Sequence, residues 1–131
     1  MIKRNTDSYL SPEWMLKMFE DWFDPCPLDD NPIIDALKID WKERCFVNPP
    51  YSKVKEFLKK AHEQIVEGKS DLIVFLTFAN TDTAWFHDYV LGKAEIRFIR
   101  GRLKFLDENG NKINSAMRPS ILIIFRNKRR K

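Results

Sequence analysis

The chain has 131 residues, 44% of them hydrophobic and 32% charged, which fits one compact domain and leaves no room for a second. No apolar run reaches the roughly 18 residues of a membrane-spanning helix, and the first residues contain no apolar signal core, so we expect an intracellular protein without membrane contact. The two cysteines, Cys26 and Cys45, and only two histidines match no metal-ligand spacing, so we expect reduced thiols and no bound metal.

The net charge of +4 is concentrated at one end of the chain. Because the last six residues carry five positive charges, the remainder has a net charge of −1. We therefore divide the chain into a single domain over residues 1–125 and a basic tail over residues 126–131. A local basic cluster favours a polyanionic partner such as nucleic acid, although a solvated chain end would explain it as well. The tail residues assigned to nucleic acid are Arg126, Lys128, Arg129 and Arg130.

The N-terminal part of the chain predicts a helix followed by a rigid loop. Ser11 and Pro12 are typical of a helix start, with Ser11 as the N-cap and Pro12 in the first turn, and the helix is expected to end near residues 24–25. Residues 24–32 contain three prolines in nine positions, which excludes a helix interior or a central strand. We expect a loop of fixed shape there, after a short strand around residues 22–23.

The middle of the chain predicts a strand, a helix and a second strand. Residues 44–47 form the first strand, and Ser52 is expected to cap a helix whose apolar residues recur at helical spacing until Gly68 ends it. Residues 72–76 are continuously apolar, as in a parallel strand that is covered on both faces.

The last third predicts a helix over residues 82–90 and a strand over residues 94–100 that continues or bends through residues 101–105. A turn over residues 108–111 and a final strand over residues 120–125 follow. Alternating strands and helices with a closing pair of strands indicate an α/β three-layer sandwich, in which a mostly parallel sheet ends in an antiparallel closing strand.

The clearest chemical signal is the sequence Asn48-Pro49-Pro50-Tyr51, which joins the end of a predicted strand to the start of a helix. Open α/β sheets bind ligands at such strand ends. Two prolines fix the backbone and remove two donors, so the Asn48 side chain and the Pro49 carbonyl become fixed acceptors beside an aromatic ring. Two acceptors aimed at the hydrogens of a ring amine favour its nitrogen as a nucleophile. We therefore expect these four residues to be catalytic, with Tyr51 stacked on the ring.

The chain resembles the phage-type DNA N-6-adenine-methyltransferase family, and the likeness extends over almost its whole length. The matching blocks are Ser11-Pro12, Asp24-Pro25-Cys26, Asp40-Trp41, residues 47–52, residues 81–88, residues 95–105 and Pro119-Ser120. The resemblance implies a minimal Rossmann-like fold and transfer of a methyl group from S-adenosylmethionine to the amino nitrogen of adenine in double-stranded DNA, with the base flipped out of the duplex. It also implies a cytoplasmic location, in the host cell if the source is viral.

The resemblance further assigns a cofactor site. Ser11 and Pro12 would approach the methionine part of S-adenosylmethionine, and Asp24, Pro25 and Cys26 would stand in for the glycine-rich loop that this chain lacks. Asp40 and Trp41 would contact its adenine. Only 24 residues separate Asp24 from Asn48, which is less than one strand-helix-strand unit of about 30. The ribose-binding acid therefore has no clear counterpart, and the candidates are Asp29, Asp30 and Asp35.

A second basic region lies in the predicted strands over residues 95–105. Its cations alternate with apolar residues, which suits phosphate contact beside a base pocket, although a half-buried strand with a solvated face is the ordinary interpretation. The residues assigned to nucleic acid are Arg97, Arg100, Arg102, Lys104 and Phe105. Because 131 residues hold no separate target-recognition domain, sequence specificity would come from loops or from a second subunit in a homodimer.

Two other functions stay open. The same chemistry could act on another amine, namely the amino group of cytosine, an RNA base or a glutamine side chain. The chain could also be a nucleic-acid-binding relic that has lost its cofactor. Pro25-Cys26 is like the nucleophile pair of cytosine carbon-5 methyltransferases, but we reject that chemistry because in those enzymes the pair occupies the position of residues 48–51.

Overall fold

The computed structural model describes residues 11–26, 36–107, 109–112 and 118–128. These residues form three α-helices and four strands, which alternate along the chain as far as β3 and end in the strand β4. The elements are α1 (Glu13–Met18), β1 (Arg44–Val47), α2 (Val54–Val66), β2 (Leu72–Phe78), α3 (Ala84–Tyr89), β3 (Glu95–Phe98) and β4 (Ser120–Arg126), and a 3-10 turn over Tyr51–Lys53 leads into α2. Every helix and strand predicted in these ranges is present, except that the strand near residue 23 is a single bridge between Phe23 and Cys45.

The four strands form one mixed sheet in the order β1-β2-β4-β3. β1 and β2 pair in parallel, whereas β4 runs antiparallel to both of its neighbours, β2 and β3. β1, β2 and β3 therefore run in one direction, and we call the sheet end where they finish the carboxyl end and the opposite one the amino end. Only the pair β1-β2 is parallel, whereas β2-β4 and β4-β3 are antiparallel. The prediction of a mostly parallel sheet is therefore wrong, because β4 inserts between β2 and β3.

Both faces of the sheet are covered, as the continuous apolar sequence of β2 predicts. Alternate residues of β2, such as Ile73 and Phe75, pack under α2 and α3, together with Ile123 of β4. The intervening residues, such as Val74, pack on the other face against Met15 of α1 and against the segment after β3. The fold therefore has three layers, with a helix layer on one face and α1 with an irregular segment on the other.

The helix ends follow the sequence signals only in part. Gly68 has a φ of 75°, and the amide of Lys69 donates to the Gln64 carbonyl at 2.9 Å, which is the glycine-terminated helix end that the sequence predicts. The predicted capping roles of Ser11 and Ser52 are wrong. The N-cap of α1 is Pro12 and the N-cap of α2 is Lys53, neither of which forms a side-chain cap. α1 also ends at Met18, well before residue 24.

The segment between β3 and β4 departs from regular strand geometry. Residues 102–105 belong to no strand, although Leu103 and Phe105 are buried against the sheet. Leu106 bridges Lys112, and between them the Asp107 side chain accepts hydrogen bonds from the amides of Asn109 and Asn111, both at 2.9 Å. The predicted turn is confirmed in the described part of this segment.

Trp41 anchors the segment that precedes β1. The side chain is 3% exposed and lies 6.1 Å from the Phe57 ring of α2. Its indole Nε1 donates to the Ala36 carbonyl at 2.9 Å, and its backbone amide donates to Gln64 Oε1 at 2.7 Å. Trp41 is therefore a core residue with a satisfied polar atom.

We predict that Trp41→Phe destabilises the fold by about 1–3 kcal/mol, because it removes indole volume and leaves the buried Ala36 carbonyl without its donor. Urea unfolding monitored by circular dichroism measures the loss. Trp14→Phe is the matched control, since Trp14 is 51% exposed and its replacement should change stability by less than about 0.5 kcal/mol. Equal stability of the two variants would contradict the core role of Trp41.

Candidate active site

Four segments of the chain meet at the carboxyl end of the sheet. The sequence Asn48-Pro49-Pro50-Tyr51, here called the proline turn, follows β1, and Ala79 and Asn80 follow β2. Phe23 bridges Cys45 of β1 in parallel, so residues 24–26 continue toward the same end beside the last residues of β1. Residue 118 comes directly before the opposite-running β4 and reaches this end as well.

The side chain of Asn48 is fixed by a residue 37 positions away. Its Nδ2 atom donates to the Ser11 hydroxyl at 3.1 Å. Ser11 is 2% exposed, so the hydrogen bond is largely protected from water. Because the nitrogen and oxygen of an amide lie on opposite sides of its carbon, this contact directs the Asn48 oxygen away from Ser11. Ser11 therefore supports the proline turn instead of capping α1.

The backbone of the proline turn is extended and leads straight into the 3-10 turn. Pro50 has φ −56° and ψ 136°, and its carbonyl accepts the amide of Lys53 at 2.9 Å. Pro49 is buried, whereas Asn48, Pro50 and Tyr51 are half-buried. The two ring-locked residues thus hold the turn between β1 and α2 while its flanking side chains keep contact with solvent.

Tyr51 belongs to a group of three aromatic rings. Its ring centroid lies 4.9 Å from that of Phe78 with a tilt of 30°, and Phe78 in turn meets Phe105 edge-on at 6.2 Å. Phe105 is 4% exposed. Phe105, which the sequence assigns to nucleic acid, is thus a buried residue whose ring packs behind Phe78 and supports the aromatic pair.

A cavity of about 210 Å³ opens beside Tyr51 and is lined by aromatic and polar residues. The lining residues are Pro49, Tyr51, Val54, Leu76, Thr77, Phe78, Asn80, Trp85 and Arg118. This volume lies below the roughly 300–1,000 Å³ of sites for drug-sized ligands. The cavity therefore suits a single flat ring system, and we call it the ring cavity.

Polar groups lie along the wall of the ring cavity. Arg118 donates to the Asn80 side-chain oxygen at 3.4 Å. Thr77 is 6% exposed, and no partner for its hydroxyl oxygen lies among the described residues. A buried hydroxyl without a partner is unfavourable, and a ligand that supplies one would remove the cost.

Sequence reasoning missed Thr77, Asn80, Trp85 and Arg118 as site residues. Their convergence depends on the insertion of β4 beside β2, which brings residue 118 next to residue 80. Two of the matching blocks lie in this region, namely residues 81–88, which contain Trp85, and Pro119-Ser120, which comes directly after Arg118.

Asp24 and Cys26 form a tight turn beside the proline turn. The Asp24 carboxylate accepts the amide of Cys26 at 2.8 Å. Desolvation by burial raises the pKa of the Asp24 carboxyl, and this outweighs the lowering by that hydrogen bond. Since Asp24 as a whole is exposed to solvent, the desolvation is partial. A cationic ligand group nearby would offset it, so the residues present suit a positively charged cofactor.

The Cys26 thiol is not an activated nucleophile. Burial, and secondarily the negative charge of Asp24, raise its pKa well above the usual range of a thiol. A thiolate at neutral pH is therefore disfavoured. This agrees with the rejection of cytosine carbon-5 chemistry at Pro25-Cys26.

Asp40 and Trp41, which the resemblance assigns to the cofactor, do not join the group of residues around the proline turn. Trp41 is buried in the core, and Asp40 binds Lys69 Nζ at 2.9 Å, which lowers the pKa of the Asp40 carboxyl. Lys69 precedes β2, so this pair lies at the amino end of the sheet, away from the proline turn. The candidate ribose-binding acids, Asp29, Asp30 and Asp35, lie outside the described residues.

The basic residues assigned to nucleic acid lie partly at the carboxyl end of the sheet and partly at its amino end. Arg100, Arg102 and Lys104 are exposed in the segment that follows the carboxyl end of β3. Arg97 and Arg126 both pair with Glu95, and these contacts, with Arg126 the stronger, hold the pKa of Glu95 below its usual range.

Arg126 and Lys128 lie at the amino end of the sheet, where β4 finishes. Arg129 and Arg130 lie outside the described residues. No group of three potential metal ligands occurs within the ranges that the structure describes. In the same ranges, no helix is long and apolar enough to cross a membrane.

Comparison with known proteins supplies the family. The profile described as DNA N-6-adenine-methyltransferase (Dam) matches residues 2–131. The DNA N-6-adenine-methyltransferase of Haemophilus phage HP1 (strain HP1c1) is 29% identical over 147 aligned positions, which cover 95% of this chain and 84% of that protein. No solved structure matched. The resemblance inferred from the sequence blocks is thereby confirmed, and the chain belongs to the DNA N-6-adenine-methyltransferase family.

Proposed function

We propose that the protein transfers a methyl group from S-adenosylmethionine to the exocyclic amino nitrogen of adenine in double-stranded DNA, on a single minimal Rossmann-like domain. The observation that carries the proposal is the proline turn, with its Asn48 amide fixed by Ser11 and with the ring cavity beside Tyr51. Membership of the family supports the reaction and the substrate base. The half-buried Tyr51, which lines the ring cavity, supports a flipped base as the bound form.

The proline turn would act on the amine of the target base. The Asn48 oxygen and the Pro49 carbonyl accept its two hydrogens, which localises the lone pair on nitrogen as the nitrogen attacks. An amide oxygen can accept two hydrogen bonds, so Asn48 can serve the amine besides its other contacts. Ser11 contributes by holding the other side of the same amide group. The turn is thus preorganised before the base arrives.

The ring cavity would hold the extruded adenine. Tyr51 and Phe78 offer aromatic surface for stacking, and Asn80, Arg118 and Thr77 offer polar atoms toward the edge of the ring. Stacking alone is tolerant of the base identity. Polar contacts at the ring edge are therefore the part of the cavity that would select adenine over cytosine.

S-adenosylmethionine, when bound, supplies an electrophilic methyl group. Asp24 would face its positive charge, while Pro25, Cys26 and Pro12 would shape the surrounding surface next to Ser11. The partly desolvated Asp24 carboxylate supports this assignment, because it lacks a cationic partner among the described ion pairs. Tight packing around Pro12 and Pro25, both buried, would exclude water from the transfer site.

Asn48→Ala should lower methyl transfer about 100-fold or more while the affinity for S-adenosylmethionine stays within about twofold. Ser11→Ala should lower kcat about tenfold without raising the KM for cofactor, and Ser11→Thr should restore it. Transfer of labelled methyl groups to unmethylated duplex DNA, RNA and protein measures the rate. Analysis of the digested DNA for N6-methyladenine and N4-methylcytosine identifies the base. A wild-type rate in Asn48→Ala would refute the amine-acceptor role.

Asp24→Asn should stabilise the ligand-free protein at neutral pH and weaken cofactor binding. Because the pKa of Asp24 is raised in the folded state, the charged carboxylate lowers the stability of the wild type at any pH above that folded-state pKa. The stability gained by the variant should therefore decrease as the pH falls through the folded-state pKa, and it should vanish below pH 3.8. Calorimetry should find an affinity about 10–100-fold lower. Asp21→Asn removes the same charge three residues earlier and should change neither property. Unaltered cofactor affinity in Asp24→Asn would remove Asp24 from the site.

Arg100→Gln and Arg102→Gln should weaken binding to duplex DNA and reduce its salt dependence. Each lost phosphate contact lowers the slope of log affinity against log salt concentration by about 0.9. Fluorescence anisotropy with a labelled duplex at several salt concentrations measures the slope. Lys42→Gln, at the amino end of the sheet, is the charge-matched control. An unchanged slope in both single variants would contradict phosphate contact at these positions.

A further inference from the structure

Phe98 is the most exposed large hydrophobic side chain among the described residues, at 78%. It lies at the carboxyl end of β3, which is one of the two edge strands of the sheet in the described structure. A single exposed apolar residue needs no explanation by itself. The surroundings of Phe98 are what point to a partner.

Phe98 has cations on both sides of it along the chain. Residues 96–106, here called the basic segment, contain four cations and no acidic residue. The cations are Arg97, Arg100, Arg102 and Lys104, and all four are exposed. Arg97 is paired with Glu95, so Arg100, Arg102 and Lys104 are the cations that can meet phosphates beside Phe98. An apolar protein surface would have to desolvate these charges, whereas a nucleic acid offers phosphates to them and base faces to the ring.

The basic segment is held in place from below. Leu103 and Phe105 are 6% and 4% exposed and pack into the apolar cluster on one face of the sheet. The amide of Ile99 donates to the Ser120 carbonyl at 3.3 Å, directly after Phe98. The backbone of Phe98 is therefore held in place on both sides, so less conformational entropy is lost when its ring binds between two bases.

The register of the sheet relates Phe98 to the ring cavity. Phe98 pairs with Ile121 of β4, and Ile121 pairs with Thr77 of β2, which lines the cavity. Two strand spacings separate Phe98 from Thr77, a distance of about 10 Å between their backbones. This is less than the roughly 12 Å width of a DNA major groove, so one duplex site can touch both.

We propose that Phe98 is the wedge that inserts into the duplex at the place vacated by the target base. The inference rests on the proposed function, since it concerns how the adenine leaves the helix. Extrusion unstacks the neighbouring bases, and an inserted aromatic ring restores stacking with them. Phe98 stacks in the gap while the cations of the basic segment hold the flanking phosphates.

The first test measures insertion without catalysis. Phe98→Trp introduces an indole whose fluorescence, after subtraction of the wild-type signal, should be quenched when the protein binds duplex DNA. Leu91→Trp is the control, because Leu91 is also exposed, at 53%, but precedes β3 at the amino end of the sheet. Quenching in Phe98→Trp alone supports the wedge. Bound DNA without quenching overturns it, whether or not the protein methylates.

The second test uses two versions of one duplex, with the target adenine opposite thymine or opposite an abasic site. Phe98→Ala should lower kcat/KM about tenfold or more on the paired duplex and much less on the abasic one, where no base pair has to be broken. Leu91→Ala should match the wild type on both. An equal loss on both substrates, or none, overturns the wedge. Wild-type inactivity on both would instead count against the proposed function.

Discussion

The position of β4 between β2 and β3 is the constraint on which the site depends. Because β4 runs opposite to its neighbours, its first residues lie at the same end of the sheet as the last residues of β2. Arg118 thereby reaches Asn80 and closes the wall of the ring cavity. The same insertion moves β3 to the sheet edge, where Phe98 and the cations of the basic segment are exposed to solvent. The strand order therefore determines the position of both the ring cavity and the exposed surface around Phe98.

The proline turn was predictable from sequence because its chemistry is local. Two adjacent prolines fix the backbone whatever the tertiary structure, and a strand before them with a helix after them determines which end of the sheet they occupy. The support from Ser11 was not predictable. Ser11 precedes a helix start with an ordinary capping pattern, and only the packing of α1 against the sheet brings its hydroxyl to Asn48. Local propensity competes with tertiary contacts at such positions, and here the tertiary contact dominates.

Asp40 and Trp41 are residues whose place in the fold could not be predicted from the sequence. A resemblance aligned along the chain carries no information about which end of the sheet a residue reaches. Trp41 has the size to cover a cofactor ring, but the same apolar area stabilises the fold more directly when it packs against α2, with Gln64 and Ala36 satisfying its polar groups. The strands and helices were therefore predictable from periodicity, whereas the assignment of a large aromatic residue to core or site required the three-dimensional packing.

The two ends of the sheet differ in how far their positive charges are paired with acidic residues. At the amino end, Glu95 pairs with Arg97 and Arg126, and Asp40 pairs with Lys69, so much of the positive charge there is compensated locally. At the carboxyl end, the cations after β3 have no acidic neighbour within the basic segment. A modest net charge can therefore still direct a polyanion, because the field at one end depends on the uncompensated cations and not on the total. Under the proposed function, this local excess of positive charge would orient the duplex at the carboxyl end of the sheet.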